Sequence, residues 1–220
     1  MDRPAASART VLVAGATGLV GREILQGLLA DDSVATVHAL VRRPLQLQHA
    51  KLATQVVDFA ALPALPFVHE VYLALGTTIK VAGSQSAFRA VDFHANLAVA
   101  RAARAAGATR LGLVSAMGAS ARSRIFYNRV KGELEDALAG LGYERLVIAR
   151  PSFLAGDRAS LGQPVRAGEL LALRISERLR FLVPDKLKSI RAAHVAAALL
   201  REVPTGHGRA VLLSDAMQPR

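Results

Sequence analysis

Tyr127 and Lys131 stand four residues apart in the run Tyr127-Asn-Arg-Val-Lys131-Gly-Glu133, a spacing that puts two side chains on one face of a helix. A nearby ammonium favours phenolate over phenol, so the pair can exchange a proton with a carbonyl or an alcohol. A half-buried packing tyrosine beside a solvated lysine is the bland alternative. A second group is the loop Gly15-Ala16-Thr17-Gly18-Leu19-Val20-Gly21, which follows a β-branched run and opens a helical pattern. In such a loop the first glycine permits a tight turn and the second lets backbone approach a pyrophosphate. The third allows close helix packing, and the helix N-terminus meets the anion with free N–H groups. Gly15, Thr17, Gly18, Leu19, Val20 and Gly21 are therefore candidate dinucleotide-binding residues. The third group is Arg42-Arg43, at the end of the next apolar run. An acid there would take the adenosine 2′-hydroxyl of NAD, whereas guanidinium groups suit the 2′-phosphate of NADP, so NADP(H) is favoured over NAD. Solvated surface arginines are the alternative.

The elements that must position these groups read as an α/β, doubly wound, mostly parallel sheet. Apolar runs at Thr10–Ala14, Thr36–Val41, Gln55–Val57, Val71–Leu75, Arg110–Val114 and Leu146–Ala149 predict strands. Helical patterns at Leu19–Ala30, Ser86–Ala106 and Tyr127–Leu141 alternate with them, which implies a sheet covered on both faces. Residues 1–9 read as a flexible tail and 10–220 as one dinucleotide-binding domain. After Pro151 the glycines and prolines become frequent, so 151–189 is expected to form a small substrate-side lobe containing an Arg-rich amphipathic stretch, Glu169–Arg180. Ile190–Arg201 then reads as a returning helix and Arg209–Leu213 as a last strand. Asp92, near the start of a long Ala-rich helix, reads as its N-terminal cap.

Together these segments resemble the short-chain dehydrogenase/reductase superfamily in its atypical branch, and within it the Tat-interacting-protein-like oxidoreductases and their small bacterial relatives. The resemblance runs from Thr10 to about Gly156, with a fainter likeness in Ile190–Leu200. Besides the glycine loop, it is carried by Val57-Asp58-Phe59, Leu73-Ala-Leu-Gly76-Thr77-Thr78, Val91-Asp92, Leu113-Val-Ser115-Ala-Met-Gly118-Ala, Tyr127 to Glu133 and Ala149-Arg150-Pro151. It implies that Asp58 and Phe59 lie near an adenine and that Leu75, Gly76 and Thr77 pass along the cofactor's phosphates and ribose. It further implies that Tyr127 and Lys131 are the catalytic pair, that Lys131 also holds the ribose, and that Pro151 lies by the nicotinamide. Ser115 would be the substrate-positioning hydroxyl. One departure stands beside it: many relatives have a second serine where this chain has Ala116, so Ser115 either positions substrate or serves the cofactor or the strand's backbone.

Composition narrows the alternatives. With 52% hydrophobic and 20% charged residues the chain is globular, and with no cysteine it has no disulfide, thiolate nucleophile or Cys-ligated metal. The six histidines show no metal-ligand spacing, so no metal is expected. No Gly-x-Ser-x-Gly elbow is present, which argues against a Ser-His-Asp hydrolase. No apolar stretch reaches the roughly 20 residues of a membrane span, and the start carries an acid where a secretory signal has bases. The expectation is a soluble, cytoplasmic protein with no membrane partner.

The formal net charge of +11 arises from 28 basic against 17 acidic residues. Codon bias toward arginine explains it as well as function does. The 101–131 stretch has seven basic side chains and no acid, which suits an anionic small substrate by steering. Nucleic acid is a weak rival, because aromatics for base stacking are only 5% of the chain. Three functions remain open. The first is an NADP-dependent oxidoreductase acting on a small carbonyl or alcohol through Tyr-Lys acid/base chemistry. The second is a non-catalytic NADPH-binding regulatory or protein-interaction module, and the third a nucleotide-sugar epimerase or dehydratase. A homo-oligomer built on the Ala-rich helices is compatible with each.

Overall fold

The computed structural model describes residues 8–152, 154–155 and 189–219. Seven strands form one parallel sheet: β1 (Arg9–Ala14), β2 (Val34–Val41), β3 (Leu52–Val56), β4 (Glu70–Leu73), β5 (Arg110–Val114), β6 (Arg145–Arg150) and β9 (Gly208–Leu213). Their order is β3-β2-β1-β4-β5-β6-β9, and every pairing is parallel. The chain therefore winds outward in one direction from β1 and in the other from β4. In an open α/β sheet that reversal leaves a crevice beyond the strands' carboxyl ends, where ligands bind.

The two-residue period of the strands sorts the core into two layers. Val11, Val13, Tyr72 and Val147 face α1 (Leu19–Ala30) and α6 (Ala192–Glu202). Leu12, Leu73, Leu113 and Ile148 face the opposite layer, which includes α4 (Asn96–Ala105) and α5 (Phe126–Ala139). Burial on both faces explains why the central strands read as continuous apolar runs. The edge strand β3 pairs with one neighbour only and leaves Ala53, Thr54 and Val56 exposed. Its weak apolar signal is why the strand starts earlier than the expected Gln55.

The expected helix Ser86–Ala106 is three pieces. After α2 (Ile79–Ala82) come α3 (Gln85–Arg89), a π-helical turn (Ala90–Ala95) and α4. Ser84 caps α3 by accepting the Ala87 N–H at 3.1 Å. Asp92 is therefore no N-terminal cap; it lies buried inside the π turn. Ile190–Arg191 is not helical but forms a short strand, β8, parallel to β7 (Leu154–Ala155). The bulk of the expected lobe, 156–188 with Glu169–Arg180, and the start of the expected tail lie outside the described residues.

The glycines of the first loop differ in what requires them. Gly15 has φ +94, and a Cβ there would lie 2.4 Å from the Ala74 carbonyl carbon at the end of β4. A Cβ on Gly21 would lie 2.0 Å from the Gly15 carbonyl oxygen, but one on Gly18 would meet nothing closer than 3.4 Å. Gly21→Ala is expected to cost about 2–3 kcal/mol by overpacking, lowering Tm by roughly 5–10 °C, whereas Gly18→Ala should cost less than about 1 kcal/mol. Equal losses in thermal denaturation of the two variants would show that Gly18 is structural too.

Candidate functional site

The crevice beside β1 is built from backbone. Gly18 accepts the Arg22 N–H at 2.9 Å as α1 begins, and α1 has neither a side-chain cap nor an acid in its first turn. Its leading N–H groups therefore lack intrahelical partners and face no competing carboxylate. Thr17 is exposed, Leu19 half-buried and Val20 packed in the core, so Val20 offers a ligand only its main chain. Gly18 is extended at φ −82, ψ 169, a conformation open to any residue. Beyond a modest N-cap preference, neither conformation nor packing requires glycine at 18; a pyrophosphate against the loop would. This is the residues' fit to a dinucleotide.

Arg42 and Arg43 follow β2 and are exposed, with no hydrogen bond or ion pair to another described residue. Asp58 follows β3, where its carboxylate accepts the Ala60 N–H at 2.9 Å, and Phe59 packs on the second core layer. Because β3, β2 and β1 are parallel neighbours, these residues emerge on the same side as the glycine loop. No acid stands at the end of β2 to meet a 2′-hydroxyl.

On the other side of the crevice, Leu75, Gly76 and Thr77 follow β4 and are held from the π turn. The Asp92 carboxylate accepts the Thr77 N–H at 2.8 Å, and Asn96 donates to the Leu75 carbonyl at 3.2 Å. Asn96 also donates to the carbonyls of Val91 and Asp92, at 3.2 and 3.3 Å. Asp92 further meets the Lys131 ammonium at 2.7 Å, with side chains only 1% and 5% exposed. Burial, the largest single influence, would lower the Lys131 pKa, but the Asp92 carboxylate together with Tyr127 and Glu135 outweighs it, and the net shift is upward. Lys131 is thus a buried cation at neutral pH. Tyr127, one turn earlier on α5, is half-buried with its ring 5.4 Å from that of Phe88. The sequence spacing placed Tyr127 and Lys131 on one helix face but did not reveal Asp92 as the partner. The signal for that partner was Val91-Asp92 itself, obscured because a helix-start carboxylate reads as a cap.

Ser115 is set apart from this group by its hydrogen bond. Its hydroxyl is buried and donates to Glu135 at 2.5 Å. Glu135 also accepts from Arg150, and Arg209 stands 3.5 Å from it. Its proton is thereby committed to a carboxylate. Pro151 is buried, and its carbonyl accepts the Met117 N–H at 2.9 Å, joining the ends of β5 and β6. A polar cleft of about 500 Å³ lies on the Glu135 side of α5, lined by Ser120, Arg122, Gly132, Asp136 and Arg150 among others.

The basic 101–131 stretch does not form one patch. Arg104 donates to the Gly142 carbonyl, Arg110 to those of Val203 and Gly206, and Arg129 to that of Ser123. Arg122 and Arg124 are exposed, and no side-chain bond to a described residue engages them. Among the described residues no group of three or more His, Asp or Glu side chains could hold a metal ion, and no helix is long and apolar enough to cross a membrane.

A switch-point crevice with a glycine turn on one side and a carboxylate-braced loop on the other defines a Rossmann-type dinucleotide-binding protein. The family described as NAD(P)H-binding matches residues 15–156, and the chain belongs to it. Among proteins of similar sequence is fmp52 of Emericella nidulans, 38% identical over 158 residues, which cover 67% of this chain and 68% of that protein. FMP52 of Eremothecium gossypii is 40% identical over 152 residues, 67% of each.

Solved structures share the fold. MoeE5 in complex with UDP-glucose and NAD has a TM-score of 0.68 at 20% identity, covering 92% of this chain and 75% of that one. The UDP-N-acetylglucosamine 4-epimerase of Methanobrevibacter ruminantium, in complex with UDP-N-acetylmuramic acid, has a TM-score of 0.70 at 16% identity, covering 94% and 77%. The α/β class is borne out, and the resemblance is borne out as membership of an NAD(P)H-binding family with a Rossmann-type fold. The cytoplasmic location is corrected: the fmp52 proteins are named mitochondrial, which points to that compartment instead.

Ser115→Ala would leave the buried Glu135 short of one donor. It is expected to cost about 1–2 kcal/mol of stability, seen as a Tm drop of roughly 3–6 °C, with dinucleotide affinity within about twofold of the parent. Unchanged stability with lost affinity would place the hydroxyl at the ligand instead.

Proposed function

We propose that this chain binds NADP(H) in the β1/β4 crevice and works as an oxidoreductase on a small carbonyl or alcohol, with Tyr127 as general acid/base and Lys131 as its charged neighbour. The observation that carries the reading is Gly18, a glycine that neither backbone conformation nor packing requires, at the uncapped start of α1. The loop from Gly15 to Gly21 would take the pyrophosphate on main-chain N–H groups, and Arg42 and Arg43 the 2′-phosphate. Asp58 and Phe59 would flank the adenine, and Leu75, Gly76 and Thr77 the ribose side, with Pro151 near the nicotinamide. When bound, the nicotinamide supplies or accepts the hydride. Tyr127 then gives the proton to a carbonyl oxygen or takes it from an alcohol, while Lys131 holds positive charge on the same helix face. The unpaired Arg122 and Arg124 favour an anionic substrate, in keeping with the nucleotide sugars named for the structurally similar proteins.

A second reading, an NADPH-responsive regulatory module without turnover, is favoured by one observation. The Ser115 proton is spent on Glu135 and Ala116 carries no hydroxyl, so neither offers a donor to a substrate carbonyl. Turnover of any compound in a carbonyl panel, abolished by Tyr127→Phe, supports the first reading. Cofactor binding without turnover supports the second.

The deciding measurement is paired titration with NADPH and NADH by nicotinamide fluorescence at fixed salt. NADPH is expected to bind more tightly. Arg42→Ala/Arg43→Ala should weaken NADPH by roughly a hundredfold through lost charge-assisted bonds and leave NADH within about twofold. Equal affinity for the two nucleotides would reject the 2′-phosphate assignment, and no binding of either would reject both readings.

A further inference from the structure

We infer that Asp92 is a positioning residue that holds the Lys131 ammonium charged and fixed beneath the Gly76-Thr77 loop, so that the cofactor loop and the Tyr127 helix act as one unit. The inference rests on the dinucleotide reading above and deepens it. One carboxylate spans three elements: it sits in the π turn, takes the loop's Thr77 N–H at 2.8 Å, and faces α5's Lys131 at 2.7 Å. Its two oxygens divide the work: Oδ2 takes the Thr77 N–H and Oδ1 faces the ammonium. Gly76 lies directly over the pair: a Cβ there would stand 3.5 Å from Asp92 Oδ1 and 3.9 Å from Lys131 Nζ. A ribose passing along that loop would therefore lie one atomic layer from the ammonium.

The π turn makes this placement possible. An inserted residue widens the turn and frees carbonyls that a regular helix would pair, and Asn96 takes up those of Val91 and Asp92 while also gripping Leu75. Among the described residues the other charges around Lys131 are few. On α5, Tyr127 and Glu135 lie in electrostatic reach, and Glu135 is neutralised by Arg150. From the neighbouring helices, Arg89 is paired with Glu133, and His94 packs edge-on against Phe93. Removing the Asp92 charge thus leaves burial as the dominant influence on Lys131, and burial favours the neutral amine.

The test is NADPH affinity from pH 7 to 9.5 for the parent, Asp92→Asn and the doubly neutral Asp92→Asn/Lys131→Met. The parent is expected to be flat across the range, because its lysine stays protonated. Asp92→Asn should bind about tenfold more weakly at pH 9.5 than at pH 7, as one charge-assisted contact is lost, and the double variant should be weak and flat. A purely structural Asp92 would lower affinity equally at every pH, and that outcome, or an unchanged Asp92→Asn, overturns the inference. If Asp92→Asn does not fold, folding restored by Lys131→Met supports it, because the defect is then the unbalanced charge. A double variant that also fails to fold overturns it. A parent that binds neither NADPH nor NADH rejects the dinucleotide reading itself, whereas a binding parent with a parallel Asp92→Asn profile rejects only the role of Asp92.

Discussion

Main chain touches main chain at the centre of this protein, where the turn after β1 lies against the end of β4. The Gly15 position is 2.4 Å from the Ala74 carbonyl for any added Cβ, and Gly21 closes on Gly15 from the first turn of α1. No side chain can enter that contact without pushing α1 off the sheet. The contact places the start of α1 at the switch between the two directions of winding, and thereby creates the crevice. Its neighbours then follow from parallel pairing: β2 brings Arg42 and Arg43 to one flank and β4 brings Gly76 and Thr77 to the other.

Charge is handled inside this frame by pairing. Among the described residues three carboxylates are almost wholly buried, and each has a cation: Glu70 with Arg9, Asp92 with Lys131 and Glu135 with Arg150. Breaking such a pair from one side costs about 3–5 kcal/mol, since the remaining charge has no water to turn to. The Arg9–Glu70 pair lies at the amino end of the sheet and serves the fold, with Tyr72 donating to Glu70 as well. The Glu135 and Asp92 pairs each involve a residue of α5, one drawing in Ser115 and the other the loop after β4. Much of the remaining positive charge bonds carbonyl oxygens near element ends, as Arg104, Arg110 and Arg145 do. The excess of arginine is therefore partly structural, and Arg42, Arg43, Arg122 and Arg124 are among the arginines that no described residue engages.

The class of fold and the glycine loop are legible in the order of the amino acids. Both are local: alternating apolar runs and helical patterns record burial on two faces, and a glycine turn between a strand and a helix records a backbone conformation. The four-residue spacing of Tyr127 and Lys131 is equally local, because a helix fixes it. Edges and breaks were less legible. The edge strand β3 lacks a second neighbour and so lacks a continuous apolar signal, and the π turn interrupts a helix at residues whose propensities are those of any Ala-rich helix.

Which partner each polar group takes is set by the folded packing. Asp92 is 39 residues from Lys131 and Ser115 is 20 from Glu135, and no local pattern connects them. Read alone, Asp92 is a cap and Ser115 a candidate substrate-positioning hydroxyl; folded, one braces a buried ammonium and the other gives its proton to a buried carboxylate. The reason is the cost of burying charge. A carboxylate withdrawn from water must find a donor or a cation within reach, and which one it finds depends on the packing of α5 against the π turn and the ends of β5 and β6.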